Sequence, residues 1–196
     1  MLAIVSHPDC LEHDAGPFHP ESPDRLHAIN NQIIMSGLDF VIRHFDAPLA
    51  SREQLALAHD RTYVDHVFSV APKEGSIELD GDTVMNPGSL DAALRAAGAG
   101  ILGVDLIMKG EAGPVFCAIR PPGHHAEHDK AMGFCLFNNI AVAAAHALKV
   151  YGFKRIAIVD FDVHHGNGTE DIFRNDERVL FCSSFQHPFY PYTGHD

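Results

Sequence analysis

Three short apolar runs, at residues 115–119, 155–161 and 179–183, constrain this chain more than any other feature. They are nearly continuous in Val, Ile and Phe instead of alternating with polar residues. A strand of that kind has both faces covered, which is the signature of a parallel sheet between helical layers. Two further runs, at residues 2–5 and 40–45, also have strand character. The segments between them carry helical patterns with readable ends. Ser22-Pro23 supplies an N-cap and a first-turn proline, and Gly37 stops that helix. Ser89 opens a long helix rich in Ala and Gly that runs to about Met108 and stops at Gly110. Asn139 opens another, stopped by Gly152, and Thr169 caps a short one over residues 170–173. Asp80-Gly81-Asp82 and Asn86-Pro87-Gly88 mark a surface loop before the long helix. The alternation predicts an α/β fold of three layers, αβα, with a mostly parallel central sheet. In such sheets ligands bind outside the carboxyl ends of the strands.

The 196 residues suffice for one domain with a real core, and no repeat, linker or low-complexity tract divides them. With 46% hydrophobic and 20% charged residues, the composition is that of a globular chain and excludes general disorder. No apolar run approaches the ~20 residues needed to cross a bilayer, so no membrane association is expected. The opening Met1-Leu2-Ala3-Ile4-Val5 lacks a basic region before it and reads as a buried strand, not a signal peptide. A formal charge of −12 argues against direct nucleic-acid binding. It suits a cationic ligand, and it equally serves solubility. Cys10, Cys117, Cys135 and Cys182 form no CxxC pair, and three sit in apolar segments. Free thiols in a reducing cytoplasm are the expectation.

The chemistry concentrates in two segments. The first is Asp160-Phe161-Asp162-Val163-His164-His165-Gly166-Asn167-Gly168, at the end of the strand over 155–161. Strand alternation turns Asp160, Asp162 and His164 to one side. A carboxylate and an imidazole two residues apart can reach one divalent cation, and N and O donors suit Zn²⁺ in an open site. Taken singly, an Asp-x-His would more often be a helix cap beside a packed histidine. Two acids, two histidines and two glycines directly after a buried strand reverse that preference. The second segment is Arg120-Pro121-Pro122-Gly123-His124-His125-Ala126-Glu127, after the strand over 115–119. Its prolines stiffen a loop that offers two imidazoles, each able to exchange a proton near neutrality. The alternative is a surface loop with incidental histidines, disfavoured because both segments fall at one edge of the sheet. Met132-Gly133-Phe134-Cys135-Leu136-Phe137-Asn138-Asn139 could line an apolar channel, although alone it would read as core.

Together these segments resemble the histone deacetylase and acetylpolyamine amidohydrolase superfamily. His7-Pro8, the run from Gly16 to Leu26 and residues 59–67 also resemble it, so the likeness covers the whole chain. Asn167 resembles the class II and bacterial branch, where many class I members have Asp. The resemblance implies a zinc-dependent deacetylase acting on acetylated lysine peptides or acetylated polyamines. Asp162 and His164 would bind zinc, and His124 and His125 would form the catalytic pair. Asp160 would orient His124, and Asn167 would orient His125. A structural K⁺ or Na⁺ would lie near Asp160, Asp162, His164 and Ser183. Gly133 and Phe134 would form one wall of the acyl-lysine tunnel and Tyr190 the other, with Asp82 as a rim acid toward substrate. His165 and Cys135 read as packing residues. The family's third metal ligand, an Asp, and its catalytic Tyr have no counterpart in the right context after His164. Residues 1–196 are therefore expected to be one deacetylase domain lacking its C-terminal part, with little activity alone. A homo-oligomer is compatible with the sequence.

Overall fold

The computed structural model describes residues 1–195. In chain order its strands are β1 (Ala3–Ser6), β2 (Arg43–Asp46), β3 (Ile77–Asp80), β4 (Thr83–Met85), β5 (Val115–Cys117), β6 (Ile156–Asp160) and β7 (Val179–Ser183). Its α-helices are α1 (Asp24–Met35), α2 (Arg52–Leu55), α3 (Arg61–Val70), α4 (Ser89–Met108), α5 (Asn139–Val150) and α6 (Asn167–Phe173). No helix is long and apolar enough to cross a membrane.

The architecture is the expected α/β type, with parallel pairing in every strand group but one hairpin. β1 lies between β2 and β5, parallel to both. β6 and β7 form a second parallel pair, in register from Ile156–Val179 to Asp160–Ser183. Among the described residues no strand joins β5 to β6, so the parallel strands fall into two groups. The inner face of the second pair, with Ile156, Ile158 and Phe181, packs into the main core beside α5 and α6. Its other face is bare, with Val159 67% and Leu180 62% exposed. A cleft of about 730 Å³ lies between the loop after β5 and strand β6.

Local chemistry moved several boundaries. The strand expected over 40–45 begins at Arg43, because Gly37, at φ 73°, leads into a 3-10 turn over Leu38–Phe40. α1 starts at Asp24 after Pro23, and no side chain caps it, so Ser22 is not the cap. α5 begins at Asn139 as expected, and its cap is Asn138, whose side chain accepts the Ala141 N–H. α6 starts at Asn167, which leaves Thr169 inside the helix. There its hydroxyl accepts a bond from Asn138 Nδ2 instead of capping. The expected surface loop around Asp80-Gly81-Asp82 is the tip of an antiparallel hairpin, β3–β4.

The long helix α4 binds the layers together. Small residues let it approach its neighbours: Ala92, Ala96, Ala97 and Ala99 are all buried. At Gly100 a Cβ would lie 3.0 Å from Ala143 Cβ on α5. At Gly98 a Cβ would lie 1.9 Å from the Pro48 carbonyl oxygen, a backbone atom with no freedom to yield. At an open helical site Gly→Ala stabilises by about 1 kcal/mol. Gly98→Ala is expected to do the reverse, costing about 1–3 kcal/mol through overpacking. Urea denaturation checks this; a variant as stable as the parent would show that α4 can move away from Pro48.

Candidate active site

The loop after β5 and the segment after β6 meet through their own polar groups. The N–H groups of Gly168 and Thr169, in the first turn of α6, donate to the His124 carbonyl at 3.0 and 3.2 Å. A Cβ at Gly168 would lie 2.3 Å from the Ala126 carbonyl oxygen, so only glycine permits this approach. After β6 the chain leaves the strand and each acid catches the backbone two residues on. Asp160 Oδ1 accepts the Asp162 N–H at 3.1 Å, and Asp162 Oδ1 accepts the His164 N–H at 2.8 Å. These local bonds, rather than continued strand alternation, aim the three side chains.

The two adjacent imidazoles sit with ring centroids 4.0 Å apart, but their partners differ. His124 Nδ1 donates to Asp160 Oδ2 at 2.8 Å. Burial pushes the Asp160 carboxyl up, but the His124 ring and the Asp162 N–H together hold it below its ordinary value. His125 Nδ1 pairs with Asn167 Oδ1 at 2.7 Å. Asn167 Nδ2 donates to Glu127 Oε1 at 2.9 Å, so Oδ1 is the end facing His125 and can only accept. His125 therefore carries its proton on Nδ1 and keeps Nε2 as a free lone pair. Burial, helped by the neighbouring His124, lowers its pKa to about 4.

Asp162 and His164 lie beside this pair. His164 Nδ1 is 3.0 Å from Asp162 Oδ1, and the His125 and His164 rings are 5.8 Å apart. Ordinary zinc–nitrogen and zinc–oxygen bonds of about 2 Å can bridge such a separation, so these two donors fit a shared metal ion. No group of three or more His, Cys, Asp or Glu among the described residues is arranged to hold one. Ser183 pairs with Asp160 across β6–β7, and its buried hydroxyl has no hydrogen-bond partner. An orphaned oxygen there fits the expected monovalent-cation position.

A cavity of about 540 Å³ brings together His124, His125, Asp162, His164, Gly133, Phe134, Tyr190 and Asp82. Tyr190 presents its ring nearly perpendicular to that of His125, with centroids 5.1 Å apart. Phe189 stacks on His164 at 5.0 Å. Asp82 accepts the Gly133 N–H at 3.0 Å. His165 is buried away from the cavity, against Phe185 and Thr193. Cys135 is buried, its thiol pushed up to about 12 by burial.

Sequence reasoning missed the groups behind the loop. His59 Nδ1 donates to the Glu127 carbonyl, and its Nε2 accepts the Asn138 N–H, both at 2.9 Å. Asn138 Nδ2 in turn reaches the Ala126 carbonyl and Thr169. Arg120 is fully buried and grips both Glu21 oxygens and the Cys10 and His13 carbonyls. The segments holding His59 and Glu21 were legible only as part of the family resemblance, and Arg120 only as the start of its loop; their pairings were not.

A profile of the histone deacetylase domain matches residues 19–196. The chain belongs to the histone deacetylase family. It is 41% identical to a probable deacetylase of Archaeoglobus fulgidus, over all of this chain and 54% of that protein. It is 37% identical to the histone deacetylase-like amidohydrolase of Pseudomonas aeruginosa, over 94% of this chain and 53% of that protein. The crystal structure of an HDA15 HD domain superposes with a TM-score of 0.92 at 38% identity, over 98% of this chain and 56% of the other. The chain thus spans about half the length of these relatives.

The buried histidines of this deacetylase-family chain make its stability pH-dependent. Burial lowers the pKa of His13 and of His59 from 6.5 to about 4. Below pH 6.5 the unfolded chain takes up protons that the folded chain refuses. Stability from these groups is complete above pH 6.5 and is lost as pH falls toward 4. The urea midpoint is expected to drop between pH 7 and pH 5, and His59→Gln should flatten that slope. A midpoint constant over this range would refute the assignment.

Proposed function

We propose that this chain carries the metal-binding and proton-transfer half of a zinc-dependent deacetylase acting on acetyl-lysine side chains. One observation carries the reading: two adjacent imidazoles with different partners share a cavity with a neighbouring Asp162–His164 pair. Asp162 and His164 would hold the zinc ion. When bound, zinc polarises an amide carbonyl and lowers the pKa of a water molecule toward neutrality. The third ligand would come from polypeptide of the kind the longer relatives possess. Asp160 and Ser183 would contribute to a K⁺ or Na⁺ site that stiffens the end of β6.

The unequal partners divide the proton work. Asn167 is neutral, so it orients His125 without stabilising a charge, and the free Nε2 of His125 is suited to take a proton from water. Asp160 is anionic and accepts the His124 Nδ1 proton, which fixes that ring's tautomer and orientation. The proton on His125 is available for the departing amine in the reverse transfer. Phe134 and Tyr190 give apolar walls suited to a methylene chain. Asp80 and Asp82 both lie close enough to Tyr190 to raise its pKa after burial, so the cavity is anionic at that side. This favours an acetylated polyamine as a second reading, and relative rates on acetyl-lysine peptide and acetylputrescine decide between them.

Asp162→Ala is expected to abolish most zinc uptake, measured by metal analysis after dialysis. His124→Ala should leave zinc content intact and lower acetyl release by about 10²–10⁴-fold. Equal zinc in the parent and Asp162→Ala would refute the ligand assignment.

A further inference from the structure

Phe134 stands on the cavity wall in a backbone conformation that a large side chain rarely adopts. Gly133 and Phe134 are consecutive left-handed residues, at φ 57° and 68°. Such a conformation persists only where its surroundings impose it. Both amides are held by one stretch of two residues. The Gly133 N–H donates to Asp82 Oδ1 at 3.0 Å, and the Phe134 N–H donates to Thr83 Oγ1 at 3.1 Å. The Thr83 hydroxyl donates to Asp82 Oδ1 at 3.0 Å, and Thr83 is fully buried. Its hydrogen is committed to Asp82, so its lone pair is left for Phe134. The Asp82 carbonyl also accepts from His19 Nε2 at 3.4 Å. The His19 ring meets Phe134 edge-on, with centroids 4.5 Å apart.

We propose that Asp82 and Thr83, where the β3–β4 hairpin turns, are positioning residues that set the Phe134 wall and so the fit of a substrate's methylene chain. This rests on the acyl-lysine reading above. The wall is also in contact with the proton-transfer machinery. A Cβ at Gly133 would lie 2.4 Å from His125 Cδ2, so the ring packs directly on that glycine. Displacement of residues 133–134 would therefore disturb His125 as well as the apolar surface. Asp82 thus acts through the wall, by a contact made before any substrate arrives.

The test combines amide exchange with binding of an acetyl-lysine peptide, and neither readout requires turnover. Thr83→Val keeps the shape and removes the acceptor. It is expected to speed exchange at the Phe134 amide by about tenfold or more and to weaken peptide binding by about three- to tenfold. Thr83→Ser should restore both, and Asp82→Asn, which keeps an acceptor oxygen, should retain Gly133 protection. Unchanged Phe134 protection in Thr83→Val would overturn the clamp. Lost protection with unchanged affinity would overturn its role in substrate fit. A parent chain that binds no acetyl-lysine peptide, yet protects both amides, would overturn the acyl-lysine reading and the substrate half of the proposal.

Discussion

The hydrogen bond between His124 and Asp160 joins two groups of strands that share no backbone ladder. His124 follows β5 in the first group, and Asp160 ends β6 in the second. His125–Asn167 and the amides of Gly168 and Thr169 on the His124 carbonyl cross the same boundary. The site is thus also a structural seam. Elsewhere the two groups are held together by apolar packing, chiefly α4 against α5, with α6 joining α5 to β7. Apolar packing is not directional, whereas the polar bonds at the seam fix orientation. Orientation is what proton transfer requires.

The seam explains why two glycines cannot be replaced without consequence. Gly166 and Gly168 flank Asn167, and a Cβ at either would strike Asp160 Oδ2 or the Ala126 carbonyl. The crossing bonds are short because the backbones on both sides come this close. Rigid spacing on one side, from Pro121 and Pro122, then meets close approach on the other. The result is an imidazole pair whose partners are set before any ligand arrives.

Much of this was legible in the sequence, for reasons tied to particular residues. The apolar runs at 115–119, 155–161 and 179–183 marked the strands correctly, but the expected cover on both faces is not met in β6 and β7, where Val159 and Leu180 lie exposed opposite the packed face. The Asp160–Gly168 and Arg120–Glu127 segments pointed to one sheet edge because chemistry at strand ends is local in sequence. The supports were illegible because they are distant. His59 reaches Asn138 across 79 residues, and Arg120 reaches Glu21 across 99. Neither bond leaves a periodic trace. The hairpin β3–β4 was hidden because Asp80-Gly81-Asp82 is turn chemistry whether or not strands flank it. The cap of α1 lies at Pro23 instead of Ser22, and Thr169 lies inside α6, where it found a partner in Asn138.

The bare face of the β6–β7 pair bears on the site itself. Val159 and Leu180 are exposed on a strand pair whose other face is packed, and Phe161, just after β6, is exposed beside them. Exposed apolar patches tend to acquire a partner. The cleft beside β6 is lined by Ile140 and Val159, but also by His124, Asp160 and Asp162. Any polypeptide filling it would therefore run along the back of the imidazole–carboxylate seam. It would remove water from one side of the His124–Asp160 bond and strengthen it, since such a bond gains as its surroundings lose polarity.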